Sequence, residues 1–216
     1  MPVSETQEHL FSLIWQGLLA QSGWEWFAVA LGLAYIYLAS KESIWCWPSA
    51  FFSTLIYTVL FWQGQLPLQA ALNFYYLVMA VYGLWLWRHG NTQSDKSLVV
   101  KSASYFQLAA FFAAGTLLSL LVGLYLTESK QSAFPYLEAF VSVFSVLNTW
   151  LMIRKYLQTW VLWIFINSGA IWLYYLSGFY ATIGLFTVYL FMAIYGHLEW
   201  KKSMRFSSTL PSSPAP

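Results

Sequence analysis

Two nine-residue stretches of this chain, MAVYGLWLW at 79–87 and MAIYGHLEW at 192–200, are nearly the same. They begin 113 residues apart, and this offset also matches residues elsewhere when it is carried back without a gap. The matched pairs are Glu25 with Glu138, Phe27 with Phe140, Trp47 with Trp160, Tyr76 with Tyr189, Gly83 with Gly196 and Trp87 with Trp200. The sequence therefore predicts a duplicated structural unit, each copy of which ends at one of these stretches.

The composition indicates an integral membrane protein. Hydrophobic residues make up 59% of the chain, charged residues only 8%, and the mean hydropathy is +0.57, whereas soluble domains carry roughly 25% charge. Aromatic residues reach 21%, including 13 Trp. Belts of Trp and Tyr at the membrane interfaces do not need so many rings, so many of them are expected inside the protein.

Seven apolar stretches approach the roughly 20 residues that a membrane-spanning helix needs. They lie at 24–40, 45–62, 68–87, 104–126, 136–153, 160–176 and 180–200. The ten-residue alternation of a membrane barrel does not occur in the sequence, so the predicted fold is all-α. Residues 10–20 are apolar but too short to cross, and they are predicted to lie along the interface. Glu5 and Glu8 lie where a cleaved signal peptide would have basic residues, so a cleaved signal peptide is not expected.

Basic residues predict the orientation in the membrane. With seven crossings, nine of the ten Lys and Arg residues fall on one side, and Lys130 alone falls on the other. The positive-inside rule then places the N-terminus outside, in the periplasm, and the C-terminus in the cytoplasm.

Each copy of the repeat contains three predicted spans, so the span at 104–126 is the extra crossing that gives both copies the same orientation. The predicted organisation is an outer segment at 1–23, a three-helix bundle at 24–88, a loop and linker helix at 89–135, a parallel three-helix bundle at 136–200, and a cytoplasmic tail at 201–216. Residues 207–216 are rich in Ser and Pro and are not expected to fold. Parallel repeats are a transporter plan with a site between the halves, although duplication also builds stable bundles without transport.

The spans limit what such a pathway would carry. Every ionisable residue lies at or near the end of a predicted helix, so no proton or ion relay is evident. The chain has no GxxxxGK[ST] phosphate loop, and the pathway lacks the buried Arg or Lys that a phosphorylated ligand would need. Passive movement of a neutral or cationic ligand is expected, and Trp and Tyr faces favour an aromatic cation.

The stretch KYLQTWVLWIFINSG at 155–169 carries the strongest candidate site. Trp160, Trp163 and Asn167 recur at i, i+3 and i+7, which places them on one helix face. A buried amide without a partner is costly, so Asn167 bonds either another helix or a ligand. The repeat-equivalent positions hold Trp47, Ala50 and Thr54, so the predicted site is asymmetric.

Other polar and aromatic side chains of the predicted spans complete the candidate substrate site. The full set is Trp47, Asn73, Tyr76, Asn148, Trp160, Trp163, Asn167 and Tyr189. Taken singly, a residue of this kind is more often a packing residue than a contact to a ligand. Glu25 and Glu138 begin predicted helices on the outer side, where they either cap the helix dipole or attract an entering cation.

Other classes of protein fit less well. A retinal protein needs a Lys in its last span, and 180–200 contains none. His9, His89, His197 and Cys46 lie apart in the predicted topology, so no metal or catalytic cluster is expected. The sequence predicts neither a cofactor, nor an enzyme activity, nor a nucleic-acid partner.

The segments LASKES, FWQGQL, YGLWLW and IRKYLQTWVLWIFIN resemble the Pnu family of vitamin transporters over residues 24–200. The resemblance implies seven helices in two parallel three-helix bundles joined by a linker helix, as in SWEET sugar transporters, and assembly as a homotrimer. It further implies facilitated diffusion of an unphosphorylated vitamin across the bacterial inner membrane, with trapping by a cytoplasmic kinase. Residues 46–83 and 190–200 look most like the thiamine branch, PnuT, which makes thiamine the expected substrate. Nicotinamide riboside, the substrate of the PnuC branch, is the alternative.

Overall fold

The computed structural model of the protein describes residues 22–65, 67–90, 98–130 and 132–209. These residues form seven helices: α1 Gly23–Ser40, α2 Cys46–Gln63, α3 Pro67–His89, α4 Tyr105–Glu128, α5 Pro135–Ile153, α6 Gln158–Leu176 and α7 Tyr180–Thr209. Within them the predicted all-α fold is confirmed, apart from one isolated backbone bridge between Lys101 and Tyr156. The predicted interfacial segment 10–20 lies outside the described residues.

Local sequence explains where several helices begin and end. The Ser22 hydroxyl accepts a hydrogen bond from the Glu25 backbone N–H, and Ser104 forms a capping box with Gln107, both of which satisfy free backbone donors. After α1 and α5 the chain turns through left-handed residues, Glu42 with φ 54° and Lys155 with φ 55°. These two residues are 113 positions apart, so the repeat extends to the backbone conformation.

Five of the seven helices described, α3 to α7, are long and apolar enough to cross a membrane. Helices α1 and α2 are 18 residues each, and their Trp, Tyr, Ser and Thr residues, with Glu25 in α1, lower their hydropathy. Large apolar side chains are exposed on the outer surface of the bundle, for example Phe112 and Leu121 on α4. The chain is therefore a multi-pass membrane protein whose apolar surface faces lipid.

Helix α7 is longer than the sequence predicted. It continues past Trp200 to Thr209, so the prediction that residues 207–216 do not fold is wrong for 207–209, and residues 201–209 of the predicted tail are helical. Residues 201–206 are mostly good helix formers, and the Ser and Pro that disfavour a helix dominate only after them. As a consequence His197 and Glu199 lie within α7 and are not at its end, contrary to expectation.

Six helices form a closed ring. In chain order α1, α2 and α3 contact one another in sequence, as do α5, α6 and α7, and the ring closes through α3 against α5 and α7 against α1. Among the described residues α4 packs only against α5, with Gly115 beneath the Phe144 ring and Gly123 beneath Tyr136. The 113-residue offset relates α1 to α5 and α3 to α7. The two contacts that join the halves are therefore equivalent under the repeat.

The two glycines of the repeated stretches each accommodate an indole. A Cβ on Gly83 would lie 2.5 Å from the Trp47 ring, and a Cβ on Gly196 would lie 2.5 Å from the Trp160 ring. Any larger residue would displace the indole, because real side-chain contacts are not that short. Glycine at both positions therefore allows an indole to pack directly against the backbone of the facing helix.

Four buried tryptophans close one end of the ring, and we refer to Trp47, Trp87, Trp160 and Trp200 as the tryptophan end. Trp47 meets Trp87 edge-on at 5.2 Å, Trp160 meets Trp200 edge-on at 5.4 Å, and the Trp87 and Trp200 centroids are 6.4 Å apart. This makes a continuous aromatic chain from α2 to α6.

The middle two indoles of this chain, Trp87 and Trp200, tie the halves together. Trp87 Nε1 donates to the carbonyl oxygen of Ile153 at the end of α5, and Trp200 Nε1 donates to that of Ala39 near the end of α1, both at 2.9 Å. Each bond is buried and crosses from one half to the other. The repeated stretch therefore ends in Trp because that indole supplies a cross-link between the repeats.

Two ion pairs lie just beyond the tryptophan end. Lys155 Nζ is 2.8 Å from Glu42 Oε2, and Lys41 Nζ is 2.9 Å from Glu199 Oε2. Hydrogen bonding to Tyr195, followed by Glu199, raises the pKa of Lys41 above its usual value. The Lys155 side chain is only 6% exposed and also lies over the Trp87 ring at 4.4 Å, so Glu42 is the carboxylate that pairs with a buried ammonium group.

The loop before α4 is fastened over the turn between α5 and α6. Lys101 N–H donates to the Lys155 carbonyl oxygen at 3.0 Å, and Leu157 N–H donates to the Lys101 carbonyl oxygen at 2.9 Å. Gln158 adds bonds from its side chain to Ser102 and Ala103. The sequence indicated only a polar loop here.

We expect Gly196→Ala to lower the melting temperature of the detergent-purified protein, because the new methyl group overlaps the Trp160 ring. Overpacking of this kind costs about 1–3 kcal/mol. Gly184→Ala on the same helix is the matched control, since a Cβ there meets nothing within 4 Å, and it is expected to be neutral or stabilising. Equal melting temperatures for the two variants would contradict the seating role.

We expect Glu42→Gln to destabilise the protein, because it leaves the buried Lys155 ammonium without its carboxylate, at a cost of about 1–3 kcal/mol. The double variant Glu42→Lys/Lys155→Glu should recover part of the loss, since both positions have the same backbone conformation. Lys202→Gln, at a side chain that is 75% exposed, is the control. A single variant no less stable than this control would refute the prediction.

A candidate binding cavity between the two halves

A cavity of about 380 Å³ lies inside the ring, and its described lining comes from all six ring helices. Trp47 and Trp160 form its floor at the tryptophan end. From there the lining rises two to three helical turns to Tyr57 on α2 and nearly four to Tyr174 on α6. A cavity of this size accommodates a small organic molecule.

The face of α6 that the sequence predicted as a candidate binding surface lines the cavity. Trp160, Trp163 and Asn167 all line the cavity. Asn167 is only 4% exposed, and among the described residues its amide has no hydrogen-bond partner. An amide that is buried and unpaired costs about 1–3 kcal/mol, so its place beside a cavity indicates that a ligand or water completes its bonding.

The opposite wall, on α2 and α3, is smaller and more polar. Ala50, Thr54 and Asn73 line it. The Thr54 hydroxyl donates to the Ala50 carbonyl oxygen at 2.8 Å, and one amide hydrogen of Asn73 is used on the Gln69 carbonyl oxygen at 3.0 Å. The Asn73 side-chain carbonyl oxygen is thus left to face the cavity as an acceptor. The predicted asymmetry of the site is present in this geometry.

Two repeat-equivalent tyrosines, Tyr76 on α3 and Tyr189 on α7, also line the cavity. The Tyr189 ring lies 5.6 Å from Phe186, and the Tyr76 ring lies 5.5 Å from Tyr75. Their neighbour Tyr75 instead spans the halves, donating to the Val146 carbonyl oxygen at 3.0 Å. Two hydroxyls from the two halves therefore face one space.

Asn148 is the one predicted site residue that the structure does not bring to the cavity. It is fully buried, its amide donates to the Thr159 carbonyl oxygen at 3.0 Å, and the Thr159 hydroxyl donates to Asn148 Oδ1 at 3.0 Å. Its polar atoms are satisfied by the next helix, so its placement does not support contact with a ligand.

Glu25 and Glu138 lie in the first turns of α1 and α5, as predicted. Both carboxylates are half-buried. Glu25 interacts electrostatically with Tyr57, and Glu138 with Tyr174, and both tyrosines line the cavity. Negative charge is therefore concentrated at the end of the cavity remote from the tryptophan end.

The cavity itself is uncharged. Its described lining contains no Asp, Glu, Lys, Arg or His, and the described residues contain no cluster of metal-ligating side chains. An anionic phosphate would find no counter-charge here. Aromatic faces and neutral hydrogen-bonding groups are the chemistry that the lining offers.

Sequence reasoning missed several lining residues, chiefly on α5 and α7. Ser145, Thr149 and Phe186 belong to this group. The repeat offset would have found Phe186, because it is the counterpart of Asn73. Ser145 and Thr149 occur one turn apart on α5, and nothing in the sequence separated them from packing residues.

The fold and the cavity define a multi-pass membrane protein with a central cavity large enough for a small molecule. Residues 22–202 match the model of the nicotinamide mononucleotide transporter family. The chain belongs to this family, and the resemblance to the Pnu vitamin transporters is confirmed.

Individual relatives agree with this assignment. The chain is 26% identical over 198 residues to the nicotinamide riboside transporter PnuC of Escherichia coli (strain K12), covering 81% of this chain and 83% of the relative. It is 23% identical over 172 residues to the riboflavin/roseoflavin transporter RibM of Streptomyces davaonensis, covering 79% and 80%. A crystal structure of the vitamin B3 transporter PnuC superimposes with a TM-score of 0.70 at 20% identity, covering 95% of this chain and 94% of that one.

These names bear on the expected substrate. They refer to nicotinamide riboside and riboflavin, so the comparisons favour the alternative that the sequence left open, nicotinamide riboside, over thiamine. The specific resemblance to the thiamine branch gains no support from them.

We expect the two buried asparagines to respond oppositely to replacement by Leu. Asn148→Leu breaks both side-chain bonds with Thr159 and leaves the buried Thr159 hydroxyl only its 3.3 Å bond to the backbone carbonyl oxygen of residue 148, so stability should fall by about 1–3 kcal/mol. Asn167→Leu removes an amide that is already unpaired and should be neutral or stabilising. Melting temperatures in detergent measure both, and a large loss for Asn167→Leu would show that Asn167 has a structural role.

Proposed function

We propose that this protein is a transporter, and not an enzyme, that moves an unphosphorylated aromatic cation of the nicotinamide riboside type by facilitated diffusion. The observation that carries the proposal is the uncharged cavity, in which Trp163 and the unpaired amide of Asn167 lie on one helix face. A pyridinium ring stacks on an indole face, with each cation–π contact contributing roughly 0.5–2 kcal/mol. The amide and the two tyrosine hydroxyls suit a carboxamide and a ribose.

The missing counter-charge argues against the phosphorylated form. A phosphate dianion enters an apolar site only with paired basic groups, and the described lining offers none. The same absence argues against coupling to protons or sodium. Net uptake would then need removal of free vitamin inside the cell, and the family resemblance suggests a cytoplasmic kinase for this step.

Thiamine and riboflavin are the competing substrates. Thiamine also carries a fixed cationic ring, and residues 46–83 and 190–200 resemble its branch of the family. Riboflavin is uncharged and has three fused rings. Nicotinamide riboside takes precedence because it combines the cationic ring with more hydroxyl groups, which the polar wall of Thr54, Asn73 and Ser145 can meet.

We further propose that all seven helices span the membrane as two parallel three-helix bundles, 24–88 and 136–200, joined by the linker in 89–135. The matched indole seats at Gly83 and Gly196 and the reciprocal bonds of Trp87 and Trp200 support this arrangement. Transport would involve rocking of one bundle against the other, with the tryptophan end opening and closing.

The bacterial inner membrane, with the N-terminus periplasmic and the C-terminus cytoplasmic, is the proposed setting. The distribution of basic residues supports this orientation, which makes the tryptophan end cytoplasmic. Glu25 and Glu138 would then lie at the periplasmic mouth as lures for a cation. Assembly as a homotrimer is implied by the family resemblance.

Calorimetric titration of the detergent-purified protein tests the substrate. We expect nicotinamide riboside to bind and nicotinamide mononucleotide to bind at least about 100-fold more weakly, because its phosphate loses hydration without gaining a partner. Trp163→Ala should weaken binding of the riboside by about 5- to 30-fold. Trp172→Ala, at a lipid-facing residue of the same helix, should leave binding unchanged.

Other outcomes of this titration are equally informative. Binding of thiamine alone or of riboflavin alone would replace the substrate but keep the cavity as its site. Tight binding of the mononucleotide would refute the charge argument. Acceleration of riboside flux by a pH gradient imposed on proteoliposomes would refute uncoupled transport.

A further inference from the structure

We propose that Ala50 determines the size of the heterocycle that the cavity accepts, because its methyl group leaves open a space that the second half of the protein fills with the indole of Trp163. The inference rests on the proposed function and adds to it the residue that limits the substrate class. Ala50 and Trp163 are related by the 113-residue offset, and both line the cavity.

The two positions are equivalent in space as well as in sequence. One turn earlier, Trp47 and Trp160 sit on Gly83 and Gly196, and a Cβ on either glycine would meet the facing ring at 2.5 Å. Helices α2 and α6 therefore lie in the same register against α3 and α7. Ala50 and Trp163 lie one helical turn beyond these tryptophans. They therefore occupy equivalent positions on opposite walls of the cavity.

Two described lining residues close to Ala50 make their contacts elsewhere. Tyr35 of α1 is larger than its counterpart Asn148, but its ring packs against Trp47 with centroids 6.1 Å apart, which is the level of the floor. The next lining residue on α2 after Ala50 is Ser53, which is buried and donates to the Ala28 carbonyl oxygen at 2.8 Å. At this level α2 thus presents a methyl group to the cavity where α6 presents an indole.

A flat ring placed over Ala50 would face the indole of Trp163 across the cavity. This is the stacking geometry that aromatic cations favour, and the Asn167 amide lies one turn further along the same face of α6. The ligand ring would occupy the place that an indole occupies in the other half. A larger residue at position 50 should therefore exclude wide heterocycles before narrow ones.

The test is a volume series at position 50, measured by calorimetry with nicotinamide riboside, thiamine and riboflavin as probes. We expect Ala50→Val to weaken the wider of any two bound probes more than the narrower one. Ala50→Trp should weaken every probe that the wild type binds by about 30-fold or more. Leu55→Trp, on the exposed side of the same helix, is the matched control and should bind as the wild type does.

The swapped variant Ala50→Trp/Trp163→Ala separates a filled slot from general damage. It moves the indole to the other wall, so we expect it to recover at least about a third of the affinity lost in Ala50→Trp on a logarithmic scale. Absence of any recovery would overturn the proposal, and so would Ala50→Trp binding within threefold of the wild type. If Ala50→Trp does not fold, Ala50→Val decides, and an unchanged order and strength of probe binding overturns the proposal.

The result also separates this inference from the function on which it rests. A wild-type protein that binds none of the three probes would refute both the proposed function and the role of Ala50. A wild-type protein that binds a probe, together with an Ala50 series that leaves the binding unaltered, would end only the assignment of Ala50.

Discussion

The seating of a tryptophan on a glycine, made once in each half, is the contact on which the rest of this structure depends. Trp47 on Gly83 and Trp160 on Gly196 fix how α2 lies against α3 and how α6 lies against α7. Lipid offers no hydrophobic drive for helices to associate, so association relies on close packing and on polar bonds. An indole against a bare glycine supplies close packing over a large area, and it does so at the same place in both repeats.

The same tryptophans connect packing to function. Trp47 and Trp160 form the floor of the cavity, while Trp87 and Trp200 behind them bond to the helix ends of the opposite half. The Nε1 atoms of Trp47 and Trp160 are buried and have no partner among the described residues. The closed end therefore carries two unsatisfied donors, each of which costs about 1–3 kcal/mol. Under the proposed transport cycle, opening this end would hydrate them and offset part of the loss of the cross-links.

The two halves share one helical arrangement but line the cavity with different residues. This combination allows a symmetric fold to hold a specific ligand. The floor, the tyrosines and the cross-bonds keep their repeat partners, which suits two halves that move against each other. The residues at the level of a ligand differ between the halves, with Ala50 and Asn73 facing Trp163 and Phe186. A flat, asymmetric molecule can then be held in one orientation, with an aromatic wall on one side and polar groups on the other.

The sequence by itself determined the membrane class, the helices, the repeat and the uncharged interior, because these follow from local composition and from periodicity along one chain. It also found the Trp163 and Asn167 face, since spacing on a single helix is a local property. Only the tertiary structure decided that Asn148 is bonded to Thr159 while Asn167 is left to the cavity. Both are buried amides on apolar helices, and which of them is satisfied depends on what the neighbouring helix brings opposite. The fastening of Lys101 to the turn at Lys155 and Leu157, and the bonds of Trp87 and Trp200, were decided in the same way, because each joins residues that only folding places side by side.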